Sequence, residues 1–240
     1  MRDDREYGYE QYAEVARGYH SLRDGRAAYI RAVNQLVCRH LRGRKRLLDI
    51  GAGDGVRILN VIDEIQVEQA ILLEPCQEMA NRILTAPKCK VVTVPVQEFE
   101  LEHGYDVDAV TMLWNVFGHI PSGDRLTVAK KILTYLSPEG LLVLDVNNRH
   151  NRAAYGVLKV AVRRLIDWIL PDARRGDSTF TWHQAGSQAS GKGHLFTPDE
   201  LIETFQTAGF RLNRILTVNY KTGFVSESRH AGQLFAVFSR

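Results

Sequence analysis

Residues 47–55 read Leu47-Leu48-Asp49-Ile50-Gly51-Ala52-Gly53-Asp54-Gly55. The apolar run predicts a short buried strand over 46–50, and the three closely spaced glycines predict a tight turn. Residues 56–65 carry apolar side chains at helical spacing, so the turn opens directly into a helix. Glycines let the backbone bend where a β-carbon would clash, and they let a ligand lie against the main chain with no side chain between. Glu74 follows roughly twenty residues later, at the end of a second apolar segment over 70–73. In a strand–turn–helix–strand unit that binds a nucleoside, an acid at this place accepts hydrogen bonds from the ribose hydroxyls. A plain strand–helix turn beside an incidental acid is the other reading. The coincidence of turn and acid weighs against it.

The glycine spacing narrows the ligand. The pattern is GxGxG, and Val56 stands where a dinucleotide fingerprint has its third glycine. No lysine follows the turn, as a phosphate-binding loop requires. The sequence therefore offers no dedicated pyrophosphate device, and a hydride-transferring dehydrogenase ranks low.

Beyond the motif, strand and helix patterns alternate. Strands are predicted over 46–50, 70–73, 90–94, 107–113 and 141–146, and helices over 27–41, 56–65, 77–84 and 125–136. Ser137-Pro138-Glu139-Gly140 stops the last of these helices. Apolar strands alternating with helices predict a parallel sheet covered on both faces. Thr197-Pro198-Asp199-Glu200 then reads as a capping box with proline at the first helical position, opening a helix that ends at Gly209. Two β-rich segments, 211–220 and 233–238, close the chain and are expected to pair antiparallel. Between 147 and 196 lies an insert. Residues 157–170 predict an amphipathic helix with Leu158, Val162, Leu165 and Ile169 on one face and Lys159, Arg163 and Arg164 on the other. Residues 171–193, rich in Gly, Ser and Gln, predict a loop.

Composition bounds the function. The chain has 240 residues, 45% hydrophobic and 25% charged, with net charge +3. That suits a globular α/β protein and is too mild a charge to argue for nucleic acid. Cys38, Cys76 and Cys89 have no metal-like spacing and read as free thiols of a reducing compartment. Met1 to Tyr12 is charged with no apolar core, and no apolar run approaches the roughly 18 residues of a membrane span. The expectation is a cytoplasmic protein with no membrane role and no bound metal.

The motif, together with Leu72-Leu73-Glu74-Pro75, Met112-Leu113-Trp114-Asn115-Val116-Phe117-Gly118-His119-Ile120 and GHLFTPDELIETFQTAGF at 193–210, resembles the class I S-adenosylmethionine-dependent methyltransferases over nearly the whole chain. The resemblance implies a Rossmann-like seven-stranded, mostly parallel sheet with an antiparallel C-terminal strand, helices on both faces and an inserted helical cap. It implies one methyltransferase domain over 1–240: an N-terminal helical segment (1–44), a cofactor-binding core (45–146), an inserted cap or lid (147–196) and a C-terminal helix with its strand pair (197–240).

The cofactor it implies is S-adenosylmethionine, leaving as S-adenosylhomocysteine. Gly51, Ala52, Gly53 and Gly55 would line its methionine and ribose side. Asp49 would orient the loop or meet the ammonium through water. Glu74 would hold the ribose. Pro75 and Met79 would pack near the adenine, with Val96, Gln97 and Glu98 at its edge. Leu113 and Trp114 would lie beside the sulfonium, and Tyr12 and Tyr19 would close over the cofactor. Many relatives have an aspartate after the third strand for the adenine amino group; Pro95 stands there, and Gln97 or Glu98 would substitute.

The partner expected is a small-molecule acceptor, methylated on oxygen or nitrogen. A methyltransferase acting on peptide, protein or RNA, and a non-catalytic S-adenosylmethionine-binding protein, stay as alternatives. His119 is the candidate general base, weighed against a structural histidine capping a helix started by Pro121. Asn115, Asn147, Asn148 and His150 are candidates for the acceptor, weighed against an ordinary polar loop. His183 and His194 are weaker ones. The helix at 157–170 reads either as a packed cap with a solvated basic face or as a basic surface, with Arg174 and Arg175, that attracts an anion. Trp168, Phe180 and Trp182 would line a pocket or anchor the cap. Oligomeric state is not legible.

Overall fold

The computed structural model describes residues 24–84, 86–102, 106–172, 174–184 and 187–240, with the backbone alone for 180–184 and 187–190. Tyr12 and Tyr19 lie outside the described residues, as do the side chains of Phe180, Trp182 and His183.

Helix α1 (Ala27–Leu41) leads into β1 (Arg46–Ile50), α2 (Val56–Ile65), β2 (Gln69–Leu73), α3 (Gln77–Ala80) and β3 (Cys89–Val92). The chain then crosses back to β4 (Val107–Met112), α4 (Val116–His119), α5 (Arg125–Tyr135) and β5 (Leu136–Val146). The insert follows as α6 (Arg152–Tyr155), α7 (Val157–Ile169), β6 (Asp177–Gln184) and β7 (Ser187–His194). Helix α8 (Pro198–Thr207), β8 (Arg211–Val218), β9 (Val225–Ser226) and β10 (Gln233–Ser239) complete the chain.

The main sheet has the order β3-β2-β1-β4-β5-β10-β8-β9. Strands β1 to β5 pair parallel. Strand β10 runs antiparallel to β5 and β8. The seven expected strands are present, and β9, two residues long, adds an eighth at the edge. Alternation along β10 shows how the layers form: Leu234, Ala236 and Phe238 face one core, while Phe235 and Val237 face the other. The first core is closed by Val128 and Ile132 of α5 with Leu201 and Phe205 of α8. The second is closed by Val33 and Val37 of α1 with Ile58 and Ile62 of α2. Helices therefore cover both faces, as the parallel strands require.

The capping box of α8 forms as read: the Glu200 amide donates to Thr197 Oγ1, and the Thr197 amide donates to the Glu200 carboxylate. Other expectations need correction. Residues 171–193 are not a loop; most of them form the β6–β7 hairpin, paired from Asp177↔His194 to Gln184↔Ser187. Its many Ser, Gln and Gly residues read as loop formers, which hid the pairing from the sequence. The cap is thus helical and β. Residues 137–140 lie inside β5 as an irregularity in its pairing with β4, although α5 does end where expected. Helix α3 stops at Ala80, short of 84, and Ile83 packs instead against the turn at Gly55.

Helix α7 does not pack its apolar face as a cap would: Lys159 and Arg164 are solvated as read, while Val160, Arg163 and Asp167 face the protein. Val160 is its one buried residue, and its apolar face is exposed. Polar contacts hold it, the main ones at Asp167. Asp167 accepts from Arg149 Nε at 2.9 Å, from His150 Nε2 at 2.9 Å and from Arg175 Nη1 at 3.1 Å. Those bonds draw the Asp167 side of the helix inward.

Candidate active site

Strand order reverses at β1: the chain runs outward through β2 and β3, then returns to β4 on the other side of β1. In open parallel sheets a ligand crevice forms at the carboxyl ends of the strands flanking such a switch. A cleft of about 720 Å³, its open mouth included, lies there. A smaller one of about 390 Å³ adjoins it across Gly51, Leu113 and Trp114.

The floor is the turn after β1. Gly51, Gly53 and Gly55 all have positive φ, at 78°, 60° and 75°. A β-carbon on Gly51 would lie 2.5 Å from Val116 Cγ2, so the bend closes only without a side chain. The Gly51 and Ala52 amides donate to the Leu73 carbonyl at 2.8 and 2.9 Å, which ties the turn to β2.

Glu74, at the end of β2, is buried and reaches across to this turn. Its carboxylate accepts from the Gly53 amide at 2.7 Å and from the Cys76 amide at 2.9 Å. Burial pushes its pKa above the ordinary carboxylate value, and the two amides pull it the other way. Each oxygen keeps acceptor capacity, and the residue lines the large cleft.

Of the other residues expected at the cofactor, Pro75, Met79 and Val96 line the large cleft, as do Leu113 and Trp114. Asp49 and Ala52 line the smaller one. Gly55 lines neither and serves as the N-cap of α2. Gln97 and Glu98 are not brought to the cleft. Gln97 reaches toward Asp124 at the start of α5, and Glu98 is exposed. Val94 and Pro95 take their place on the wall, so that edge is apolar.

The opposite wall rests on a buried aspartate that the sequence reading missed. Asp145, in β5, accepts from the Tyr29 hydroxyl at 2.6 Å and from the Trp114 amide at 3.0 Å, and pairs with Arg57 Nη2 at 3.3 Å. Burial, and then the Asp145 charge, push the Tyr29 phenol well up, so it stays a donor. The network holds Trp114 and Asn115 in consecutive left-handed conformations, both at φ 65°. Non-glycine residues adopt that pair only when the surroundings enforce it. The legible signal was a charge within the otherwise apolar Leu141–Val146 segment, and another, Arg57, on the buried face of α2.

Arg57 and Asp49 both face the smaller cleft. Arg57 Nη1 is buried without a hydrogen-bond partner among the described residues. Asp49 accepts from Thr111 Oγ1 at 2.5 Å, and burial pushes its carboxyl up to about 7. A guanidinium with one unpaired nitrogen and a carboxyl poised to ionise share one small pocket.

The candidate acceptor residues divide. Asn148 is fully buried and spent on structure: its side chain donates to the Arg229 and Gly232 carbonyls and accepts from the His150 amide. His150 anchors α7 through Asp167, and Asn115 accepts from the Asn147 amide. None of these four lines either cleft. His194 sits between Asp177 and Glu200, bonding the hairpin to α8.

His119 does line the large cleft. It closes α4 rather than capping the next helix, which begins at Arg125. Its Nδ1–H donates to the Lys192 carbonyl of β7 at 2.9 Å, which makes Nε2 the accepting nitrogen of the neutral ring. Burial holds its pKa below the ordinary imidazole value.

Among the described residues no group of three or more His, Cys, Asp or Glu could hold a metal, and no helix is long and apolar enough to cross a membrane.

The profile of a family described as a methyltransferase domain matches residues 20–214. No curated protein matches the sequence. Solved structures share the fold at low identity. An S-adenosylmethionine-dependent methyltransferase from Clostridium acetobutylicum is 10% identical with a TM-score of 0.62, covering 96% of this chain and 98% of its own. The amino pentose methyltransferase CalS10 of Micromonospora echinaspora, from calicheamicin biosynthesis, is 18% identical with a TM-score of 0.63, over 92% and 96%. The 1,6-didemethyltoxoflavin-N1-methyltransferase of Burkholderia thailandensis is 17% identical with a TM-score of 0.63, over 98% and 87%.

Proposed function

Because the chain belongs to this methyltransferase-domain family, we propose that it transfers a methyl group from S-adenosylmethionine to an oxygen or nitrogen atom of a small-molecule acceptor. The observation that carries the reading is the switch-point cleft, with a side-chain-free floor at Gly51 and buried Glu74 beside it.

The residues fit the cofactor part by part. Glu74 would accept from the ribose hydroxyls. Val94, Pro95, Val96 and Met79 give an apolar slot for a flat base. Asp49 and the unpaired Nη1 of Arg57 offer the acceptor and the donor that the ammonium and carboxylate of an amino acid need. When bound, the cofactor supplies a methyl group already activated on sulfonium.

The protein's share is then orientation, exclusion of water and removal of a proton from the acceptor. His119 is placed for the last, since burial keeps it neutral and its Nδ1–H is held by the Lys192 carbonyl. The insert is the lid on the acceptor side, with its hairpin docked on α4 through that contact. CalS10 and the toxoflavin enzyme, whose names give small-molecule acceptors, support that substrate class.

Isothermal titration with S-adenosylmethionine tests the reading directly; no heat at millimolar cofactor ends it. His119→Gln tests the base. Turnover should fall about 10²- to 10⁴-fold while the cofactor binds unchanged. Equal turnover would remove His119 from the chemistry.

A further inference from the structure

Helix α7 presents its apolar face to solvent. Leu158 and Trp168 are each 80% exposed, Val157 67% and Leu165 55%. Eight of the twelve large exposed hydrophobics among the described residues fall between 157 and 170. A patch so concentrated on one helix marks a surface that meets something. Leu158, Val162, Leu165 and Ile169 recur at the spacing of one helical face. The polar contacts of Arg163 and Asp167 point the other way, into the protein. The patch is therefore not an ordinary helix rotated out of a core; the fold spends the polar face to keep the apolar one outside.

Charge selects the partner. Lys159 and Arg164 flank the apolar stripe, both exposed, and neither forms an ion pair with the described residues. Arg152 before the helix and Arg174 after it are exposed too. The only acid between 157 and 170 is Asp167, and it is bound to Arg149, His150 and Arg175. A second copy packed symmetrically on this face would set these cations near one another with no carboxylate between them. An anionic lipid surface supplies both needs at once, an apolar layer for the leucines and negative headgroups for the flanks. Trp168 on the apolar side has the amphipathic ring that settles at such an interface. At 13 residues α7 is about 20 Å long, against the roughly 30 Å of a hydrocarbon core, so it can lie on a bilayer and not across it.

We infer that α7 seats the protein on an anionic membrane surface, with its axis in the plane and the Leu158–Leu165 face in the acyl boundary. The inference is independent of the acceptor's identity and does not need the enzyme to turn over.

Co-sedimentation with phosphatidylcholine vesicles, with and without 30% phosphatidylglycerol as roughly a third of the lipid, tests it. The bound fraction should rise about tenfold with the anionic lipid and fall back at high salt. Leu158→Glu with Leu165→Glu should abolish binding, while Phe224→Ser, at an exposed apolar residue elsewhere, leaves it intact. Titration with S-adenosylmethionine should be unchanged in the double variant, so a failure here is separable from a failure of the proposed activity. No binding to anionic vesicles, or binding that survives the double substitution, overturns the inference. So does a dimer in light scattering that the double variant dissociates, which would give the face to a second copy.

Discussion

The cleft at the ends of β1 and β2 and the insert between β5 and α8 are held together in different ways. The cleft is fixed by backbone: three positive-φ glycines, amides bonded to the Leu73 carbonyl, and Glu74 gripping two more amides, all over a packed apolar core. The insert contributes one buried side chain from α7 and is moored by polar contacts at a few points. Asp167 ties α7 to Arg149, His150 and Arg175; His194 ties the hairpin to Glu200; the Lys192 carbonyl ties it to His119. A backbone-bonded floor presents one geometry to a ligand shared across a family. A part moored by side chains can change its contents without disturbing that floor, which is what the proposed lid over the acceptor would need.

Substitutions that act on one half and spare the other would sharpen this contrast. The largest effect is expected from Glu74→Gln. The replacement loses the charge and sets an amide NH₂ against the Gly53 or Cys76 N–H, so cofactor affinity should fall about 10- to 100-fold by titration calorimetry. Limited proteolysis of the insert should not change. Affinity within twofold of the parent would break the contrast, because the acid would then be ornamental to the floor.

Asp167→Asn is the converse. One carboxylate serves three donors, so its loss should loosen α7 and raise cleavage within 157–194 about tenfold, as a loss of about 1.4 kcal/mol would. Cofactor affinity should hold. A parallel drop in affinity would show the two halves to be one mechanical unit.

The smallest effect is a pH dependence on the cleft side. Burial raises the Asp49 carboxyl to about 7. Its stabilising contribution is complete below the ordinary carboxyl range and is lost progressively as pH rises from about 4 to about 7, so the melting temperature of the unliganded protein should fall over that interval and level off above it. A cationic ligand group reverses the preference. S-adenosylmethionine should bind tighter over the same interval, by less than about tenfold, with proton release visible in buffers of different ionisation enthalpy. Asp49→Asn should flatten both curves. A flat profile in the parent would place the ammonium elsewhere.

The halves also differ in how legible they were. The Gly51 turn, Glu74 and the Thr197 capping box were read from short stretches because each is decided by neighbours in the chain: a φ that only glycine adopts cheaply, a strand end, a hydroxyl three residues from its amide. The hairpin over 177–194 was not, because strand pairing needs no apolar period and its polar residues resemble a loop. Gln97 and Glu98 were candidates by position, yet the turn after β3 aims Gln97 at Asp124 and leaves Glu98 in solvent. Asp145 and Arg57 were passed over because their meaning lies in each other, 88 residues apart.

By itself, the sequence determined the order of strands and helices in the main sheet, the bend after β1 and the acid opposite it, since these follow from local backbone sterics and apolar periodicity. Only the tertiary structure decided which polar residues reach the cleft, that Asp145 sets the wall under Trp114, and that α7 turns its apolar side outward. Those outcomes depend on which distant groups can satisfy a buried charge, and no local pattern encodes that.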